Sequence, residues 1–205
     1  ACCVTAAGAL GRAAGRAARA VLPDCADEFV LCLDVAVGRR DGRHPAHAYL
    51  ASLPAGGSQH APTFPARSRR LLAGTDLGAA VARERAEVRG AAARLLGPLK
   101  AARPDVFGAI GEADVRWARE MVVTRAFRAS LLGGGGASSS GDCGVLCPLL
   151  DLRNHDEGAR QAYASGADSV AFAQRGPLPA RGAELHTNYG PKKTNEAHMM
   201  SHGFA

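Results

Sequence analysis

Two stretches decide how this chain reads: Pro148-Leu149-Leu150-Asp151-Leu152-Arg153-Asn154-His155, and Gly182-Ala183-Glu184-Leu185-His186-Thr187-Asn188-Tyr189-Gly190. They begin about 35 residues apart, both in the last third of the chain. Between them Ser169-Val170-Ala171-Phe172-Ala173 alternates as a strand does, and Gly176-Pro177-Leu178-Pro179 marks a turn. Glu184 to Tyr189 alternates again and stops at Gly190-Pro191, which predicts another strand. Val145-Leu146-Cys147 is a short apolar run halted by Pro148. Thr194 suits the N-cap of a final helix through Met200, with Gly203 as its stop.

Upstream, the run Gly133-Gly134-Gly135-Gly136-Ala137-Ser138-Ser139-Ser140 has the composition of a flexible loop. What precedes it is rich in Ala, Arg and Leu and reads as helical. Phe29, Leu33, Ala36 and Val37 share one helical face, with Asp24 and Asp27 ahead of it and Gly38 at its end. Residues 44–54 predict a short helix or turn closed by Pro54, and 55–65 a loop. Leu77, Val81, Val88, Leu95 and Leu99 trace a stripe along a helix from about Asp76 to Ala102, which Gly97-Pro98 should kink or end. A third helix is expected from Glu112 to Ala129, with Val115, Ala118, Met121, Val122 and Arg125 on one face. Helices first and short strands after predict an α+β fold.

Composition narrows the function classes. A chain of 205 residues with 47% hydrophobic content makes one full domain, or a small domain plus a fragment, and needs no staples. With aromatics at 5%, the core must be mostly aliphatic. No stretch approaches the roughly 18 apolar residues of a membrane span. The net charge of +6 comes from Arg scattered through Ala-rich segments. Its densest cluster, Arg67, Arg69 and Arg70, lacks interleaved aromatics, so a solvated surface is the better reading than a nucleic-acid footprint. The six Cys form no C-x-x-C pair; Cys143, Cys147 and His155 sketch a metal site without a fourth ligand, so idle thiols in a reducing compartment and no bound metal are expected. The opening, which starts at Ala1 and places Arg inside its apolar run, is no simple signal segment and reads as an internal start.

Four motifs stand in order: Tyr49-Leu50-Ala51-Ser52-Leu53-Pro54; Trp117-Ala118 through Thr124-Arg125-Ala126-Phe127; Pro148 to His155; and Gly182 to Phe204 with Glu184, Tyr189-Gly190 and Asn195. Together they resemble the SET-domain methyltransferases, in particular the subfamily of Rubisco large-subunit lysine methyltransferase and actin-histidine methyltransferase. One extra residue between Gly190 and Asn195, and Glu196 one position early, make the last stretch a looser match. The resemblance implies that 1–142 is mainly the helical insert of a SET domain and 143–205 its β-rich C-terminal half with the cofactor and catalytic motifs. It also implies that the N-terminal SET strands and the C-terminal substrate-binding domain lie outside this stretch.

What the resemblance implies for chemistry is transfer of a methyl group from S-adenosylmethionine to a protein lysine nitrogen, or to a histidine. Such an in-line displacement needs positioning and a deprotonated nucleophile more than acid–base groups. Tyr189 takes the catalytic place, as an oxygen that orients methyl and nucleophile. Arg125, Asn154, His155 and Phe204 fall to the cofactor. Asp151, Tyr163 and His202 fall to the substrate side, where His202 stands in for a second channel tyrosine and leaves lysine versus histidine open. On the residues alone, Arg125 and Asp151 read equally as an internal ion pair, and Phe204 as core. The rival class is a catalytically inactive SET-like scaffold that binds a partner protein. The enzyme reading implies a protein substrate, no nucleic acid, no membrane and a monomer, in cytoplasm, nucleus or chloroplast.

Overall fold

The computed structural model describes residues 3–128, 144–165, 170–177, 179–190 and 192–204. Strand β1 (Val4–Thr5) leads into α1 (Ala6–Leu10), α2 (Ala13–Val21), α3 (Asp27–Arg40) and α4 (His47–Ser52). A 3-10 turn (Ala61–Thr63) follows, then α5 (Ala66–Arg70), α6 (Asp76–Ala102), α7 (Pro104–Phe107) and α8 (Glu112–Arg125). The strands β2 (Phe127–Arg128), β3 (Gly144–Leu146), β4 (Gln161–Ser165) and β5 (Val170–Gln174) precede α9 (Asn195–Ser201). The α+β expectation matches this mixture of a helical majority and small sheets. None of the described helices is long and apolar enough to cross a membrane.

The core is helical. α3 runs through its centre with Val30, Leu31, Leu33 and Val35 fully buried, so the one-sided stripe expected there is too narrow: this helix is covered on every side. Its buried Asp34 is satisfied by Arg12 (2.6 and 2.9 Å) and His44 (3.3 Å), which is what lets a carboxylate sit in an apolar layer. Gly38 does not end α3. A side chain there would meet Leu50 and His44 at 2.7 Å, so glycine lets α4 cross closely and the helix continues to Arg40. Cys32 is sealed in the same layer, and burial pushes its thiol up to about 12, which leaves it a packing group.

α6 and α8 pack on this core by the stripes their spacing predicts: Val81, Val88, Leu95 and Leu99 are buried on α6, and Val115, Ala118, Met121 and Val122 on α8. The expected break at Gly97-Pro98 does not occur. α6 continues to Ala102, because proline removes only the amide that Arg94 would have bonded, while Leu99 stays buried and Arg103 donates back to its carbonyl at 2.9 Å. α8 ends earlier than expected, at Arg125, since Phe127 and Arg128 are drawn into pairing with Val145 and Gly144 of β3; Ala129 lies outside the described residues.

β1 joins the other edge of β3, Val4 opposite Leu146 and Thr5 opposite Val145, giving the antiparallel order β1-β3-β2. The alternation at 169–173 corresponds to β5, which pairs with β4 so that Tyr163 faces Phe172; Ser169 lies outside the described residues. The strand expected over Glu184–Tyr189 is absent. Residues 183–185 are exposed, and Thr187 alone pairs, in one parallel bridge to His155. The segment's amides are instead taken one by one, Thr187 by the Asn154 carbonyl (2.9 Å) and Asn188 by the Gln161 side chain (3.1 Å). The stretch 55–65, expected as plain loop, holds the 3-10 turn and is pinned by Glu120 of α8, whose carboxylate accepts from the Ser58 amide and hydroxyl.

Candidate active site

The bridge between His155 and Thr187 sets the two deciding stretches side by side, and the site forms around it. Each motif contributes. The turn Cys147–Leu150 carries Leu149 at i+2 with φ +72°, a left-handed value that steers the chain into the 3-10 turn Leu150–Leu152. That turn buries the Asp151 carboxylate completely. There it accepts from the Tyr49 hydroxyl at 2.8 Å and faces Arg125 at 3.4 Å. Trp117, from the second motif, donates its indole N–H to the Pro54 carbonyl at 2.9 Å, tying α8 to the end of the first.

Tyr189 is held at both ends. Its amide donates to His155 Nδ1 at 3.1 Å, and its hydroxyl donates to the Arg153 carbonyl at 2.6 Å. Because Nδ1 accepts, neutral His155 carries its hydrogen on Nε2. Burial pushes the Tyr189 phenol up from its ordinary value, so it stays protonated at neutral pH and keeps its lone pairs for whatever lies beside it. The His202 ring stands 4.4 Å from that of Tyr189. Burial first, then the Lys193 ammonium, pushes His202 down to about 3, so it is neutral; its Nε2 takes a hydrogen from Lys193 Nζ at 2.9 Å. Burial, then Arg128, lowers the Lys193 amine from its ordinary value.

Phe204 stacks on His155 (5.4 Å, 24°) and His198 (5.0 Å, 23°) and remains 36% exposed. Gly203 brings it there at φ +87°, with its Cα against the Gln59 backbone so closely that a Cβ would overlap the Gln59 carbonyl. Thr194 caps α9 as expected, accepting from the Ala197 amide at 3.3 Å.

Two cavities adjoin. One, of about 450 Å³, is lined by Arg125, Asn154, His155 and Phe204, together with Ser58 and Leu152. The other, of about 680 Å³, is lined by Tyr163, Arg153, Lys193 and Arg128 among others. Both volumes suit small-molecule or side-chain pockets. Thr124, Arg125, Asp151, Tyr189 and His202 line both, so these residues form the wall between them. The four side chains expected for a cofactor therefore meet in the smaller cavity. The three expected for a substrate (Asp151, Tyr163 and His202) line the larger, and Tyr189 stands between. Asp151 and Arg125 take up the internal pairing as well: Asp151 contributes to the wall while its Oδ2 binds Tyr49 and Arg125 and its Oδ1 is buried with no hydrogen-bond partner among the described residues. Asn154 donates to Glu184 at 2.6 Å. Tyr163 meets the Thr187 hydroxyl at 3.1 Å and packs edge-on against Phe127 and Phe172.

Several members of this site escape sequence reading. Lys193 lines it without belonging to any spacing rule, Ser58 arrives from the loop that Glu120 holds, and Thr124 and Arg153 are motif members to which the sequence assigns no site role. Among the described residues no group of three or more His, Cys, Asp or Glu is arranged to hold a metal, and Cys143 lies outside them.

The sequence matches no protein-family model, and no curated protein matches it. Solved structures match in shape. The SET domain of LSMT bound to MeLysine and AdoHcy superposes with a TM-score of 0.80 at 19% identity, over 98% of this chain and 44% of that one. Rubisco LSMT bound to AdoMet gives 0.79 at 16% identity, again over 98% and 44%. Rubisco LSMT bound to sinefungin and monomethyllysine gives 0.78 at 16%. The chain thus spans less than half the length of these neighbours, and it has the fold of their SET-domain methyltransferase portion.

Proposed function

We propose that this chain is the methyl-transferring part of a protein methyltransferase that uses S-adenosylmethionine and places the methyl on a lysine side-chain nitrogen. One observation carries the reading: two cavities share a wall that contains Tyr189. In-line displacement requires donor and acceptor to approach one carbon from opposite sides, and two adjoining pockets that share Tyr189 offer one place for each. The neighbouring folds support the same reading, since those proteins were solved with AdoMet, AdoHcy and lysine. Residues 143–205 would then carry most of the cofactor and catalytic groups on the helical body of 1–142.

The smaller cavity fits the cofactor chemically. Phe204 is a flat, partly exposed face backed by two imidazoles, suited to a purine ring. The Asn154 amide offers both a donor and an acceptor. Arg125 Nε is buried without a hydrogen-bond partner among the described residues, a donor suited to a carboxylate. When bound, the cofactor supplies a methyl group on a positively charged sulfur.

The chain's own groups do the rest by electrostatics. Tyr189 commits its hydrogen to Arg153, so its oxygen presents lone pairs, which favour a methyl bearing partial positive charge. It is not a base, since burial holds it protonated. His202 is not one either, being neutral and resistant to protonation. The positive side chains of the larger cavity favour the neutral, nucleophilic form of an incoming amine over its ammonium, and the proton departs to water. A histidine acceptor, neutral near pH 7, would use the same arrangement.

Calorimetry of S-adenosylmethionine with the chain tests this. Micromolar binding should be lost in Asn154→Ala and His155→Ala. Tyr189→Phe should keep cofactor affinity and lower methyl transfer to protein by about 10- to 100-fold. No binding by either the folded chain or a folded chain extended at its N-terminus sinks the enzyme and leaves the partner-binding scaffold.

A further inference from the structure

Among the described residues, the larger cavity is lined by five cationic side chains, Arg125, Arg128, Arg153, Lys192 and Lys193, and by a single carboxylate, Asp151. Its Oδ2 takes both the Tyr49 hydroxyl and Arg125, and its Oδ1 is buried with no hydrogen-bond partner among the described residues, so one carboxylate faces five cations. His202 adds no negative charge and is itself held by Lys193. Arg153 lies over the Phe172 ring, 3.3 Å from its centroid, and its Nη1 is buried with no hydrogen-bond partner among the described residues. Arg128 and Lys192 are exposed, and no carboxylate pairs with either among the described residues. An unmatched set of cations with a buried, unanswered guanidinium N–H favours a ligand that brings carboxylates.

We propose that the segment entering the larger cavity is an acidic protein segment, whose Asp or Glu side chains beside the acceptor residue are recognised by Arg128, Arg153 and Lys192. The proposal rests on the reading of this cavity as the protein-acceptor side. It names a substrate class, target residues set among carboxylates, and three specificity-determining side chains. The same charge serves chemistry and selection together. It disfavours a bare ammonium, so a lysine flanked by neutral or basic residues is penalised, and flanking carboxylates relieve that penalty. A carboxylate rather than a phosphate chain fits because the acceptor must reach Tyr189, at the wall, with only its own neighbours in the sequence to fill the cavity mouth.

Fluorescence anisotropy with labelled peptides reads this directly, without requiring turnover. One peptide carries a central Lys between three Glu on each side; a second replaces each Glu by Gln. The acidic peptide should bind about tenfold tighter at low salt, as a few exposed ion pairs allow, and the gap should narrow as salt is raised. Arg128→Glu/Lys192→Glu should abolish or invert the preference. Lys192→Gln alone should weaken it partially, and an unchanged far-UV spectrum shows that both variants fold. Equal binding of the two peptides overturns the proposal, as does a preference that survives the double charge reversal. Tighter binding of a single-stranded oligothymidylate than of the acidic peptide also overturns it, by assigning the cations to nucleic acid. Cofactor calorimetry on the same samples separates the two readings. An acidic preference without S-adenosylmethionine binding upholds recognition of an acidic segment and counts against the methyltransferase reading, while cofactor binding without the preference overturns the acidic segment and keeps the methyltransferase.

Discussion

The helical body and the site region are stabilised in different ways. In the body, α3 lies among aliphatic side chains from α1, α2, α4 and α8, and most of its own residues are buried. In the site region, from Pro148 onward, only Thr187 and His198 reach the same burial among the described residues. What holds that region is a set of single polar bonds between distant positions: Tyr189 to Arg153, His155 to the Tyr189 amide, Gln161 to Asn188, and Tyr49 to Asp151 across 102 residues. Four of the five exposed large hydrophobics among the described residues, Leu149, Leu152, Leu185 and Phe204, also lie there. Nonpolar burial is cooperative and resists local opening, whereas a web of polar bonds can loosen one strand at a time. The candidate site is thus a polar assembly laid against an apolar block.

A cut into the block should be felt everywhere. Leu33 is fully buried at the centre of α3. Leu33→Ala leaves a cavity that neighbouring helices cannot fill and should cost about 2–5 kcal/mol. Urea denaturation followed by far-UV circular dichroism would show this as a single lowered midpoint. A midpoint within a few tenths of a kcal/mol of the parent would mean the body is not one cooperative unit.

A cut into the site should be felt locally. Gly203→Ala imposes a side chain at φ +87° and drives it into the Gln59 backbone. The left-handed conformation alone costs about 1–2 kcal/mol, and the overlap adds to it, so the chain should yield by moving Phe204 off His155 and His198. The expected result is loss of S-adenosylmethionine binding with urea-induced unfolding of the helices changed less than by Leu33→Ala. Retained cofactor binding would show that Phe204 does not serve that cavity.

The same division explains what the sequence discloses. The buried faces of α6 and α8 are legible because helical periodicity is local: Val81, Val88, Leu95 and Leu99, and likewise Val115, Ala118, Met121 and Val122, announce themselves by spacing. Thr194 is legible as a cap for the same reason. Tyr189, Asn154 and His155 are visible as motif members, yet their partners are not. No spacing rule links Tyr49 to Asp151 or Lys193 to His202, since those bonds are decided by how helices and loops stack. Alternation misleads at Glu184–Tyr189, where a polar segment alternates without a neighbouring strand to pair with. Full burial of α3 is hidden too, because a helix covered on all sides resembles an amphipathic one whenever a few polar residues, such as Asp34, are neutralised inside.

The smallest effect probes the seam between the two regions, the turn that delivers Asp151 to the wall. Leu149 adopts φ +72° with its side chain 77% exposed, so almost no packing is lost when that side chain is removed. Relief of the left-handed strain contributes about 1–2 kcal/mol, and the added freedom of glycine in the unfolded chain takes back about 0.5–1 kcal/mol. Leu149→Gly should therefore stabilise, by up to about 1.5 kcal/mol. If the site is polar and locally loose, the gain should appear as slower amide exchange at Leu150 and Asp151, whose amides bond the Cys147 carbonyl, with little change in exchange from α3. Equal slowing in α3 would instead join the turn to the apolar block and erase the contrast between them. Net destabilisation would show that contacts of the Leu149 side chain outweigh the strain of the turn.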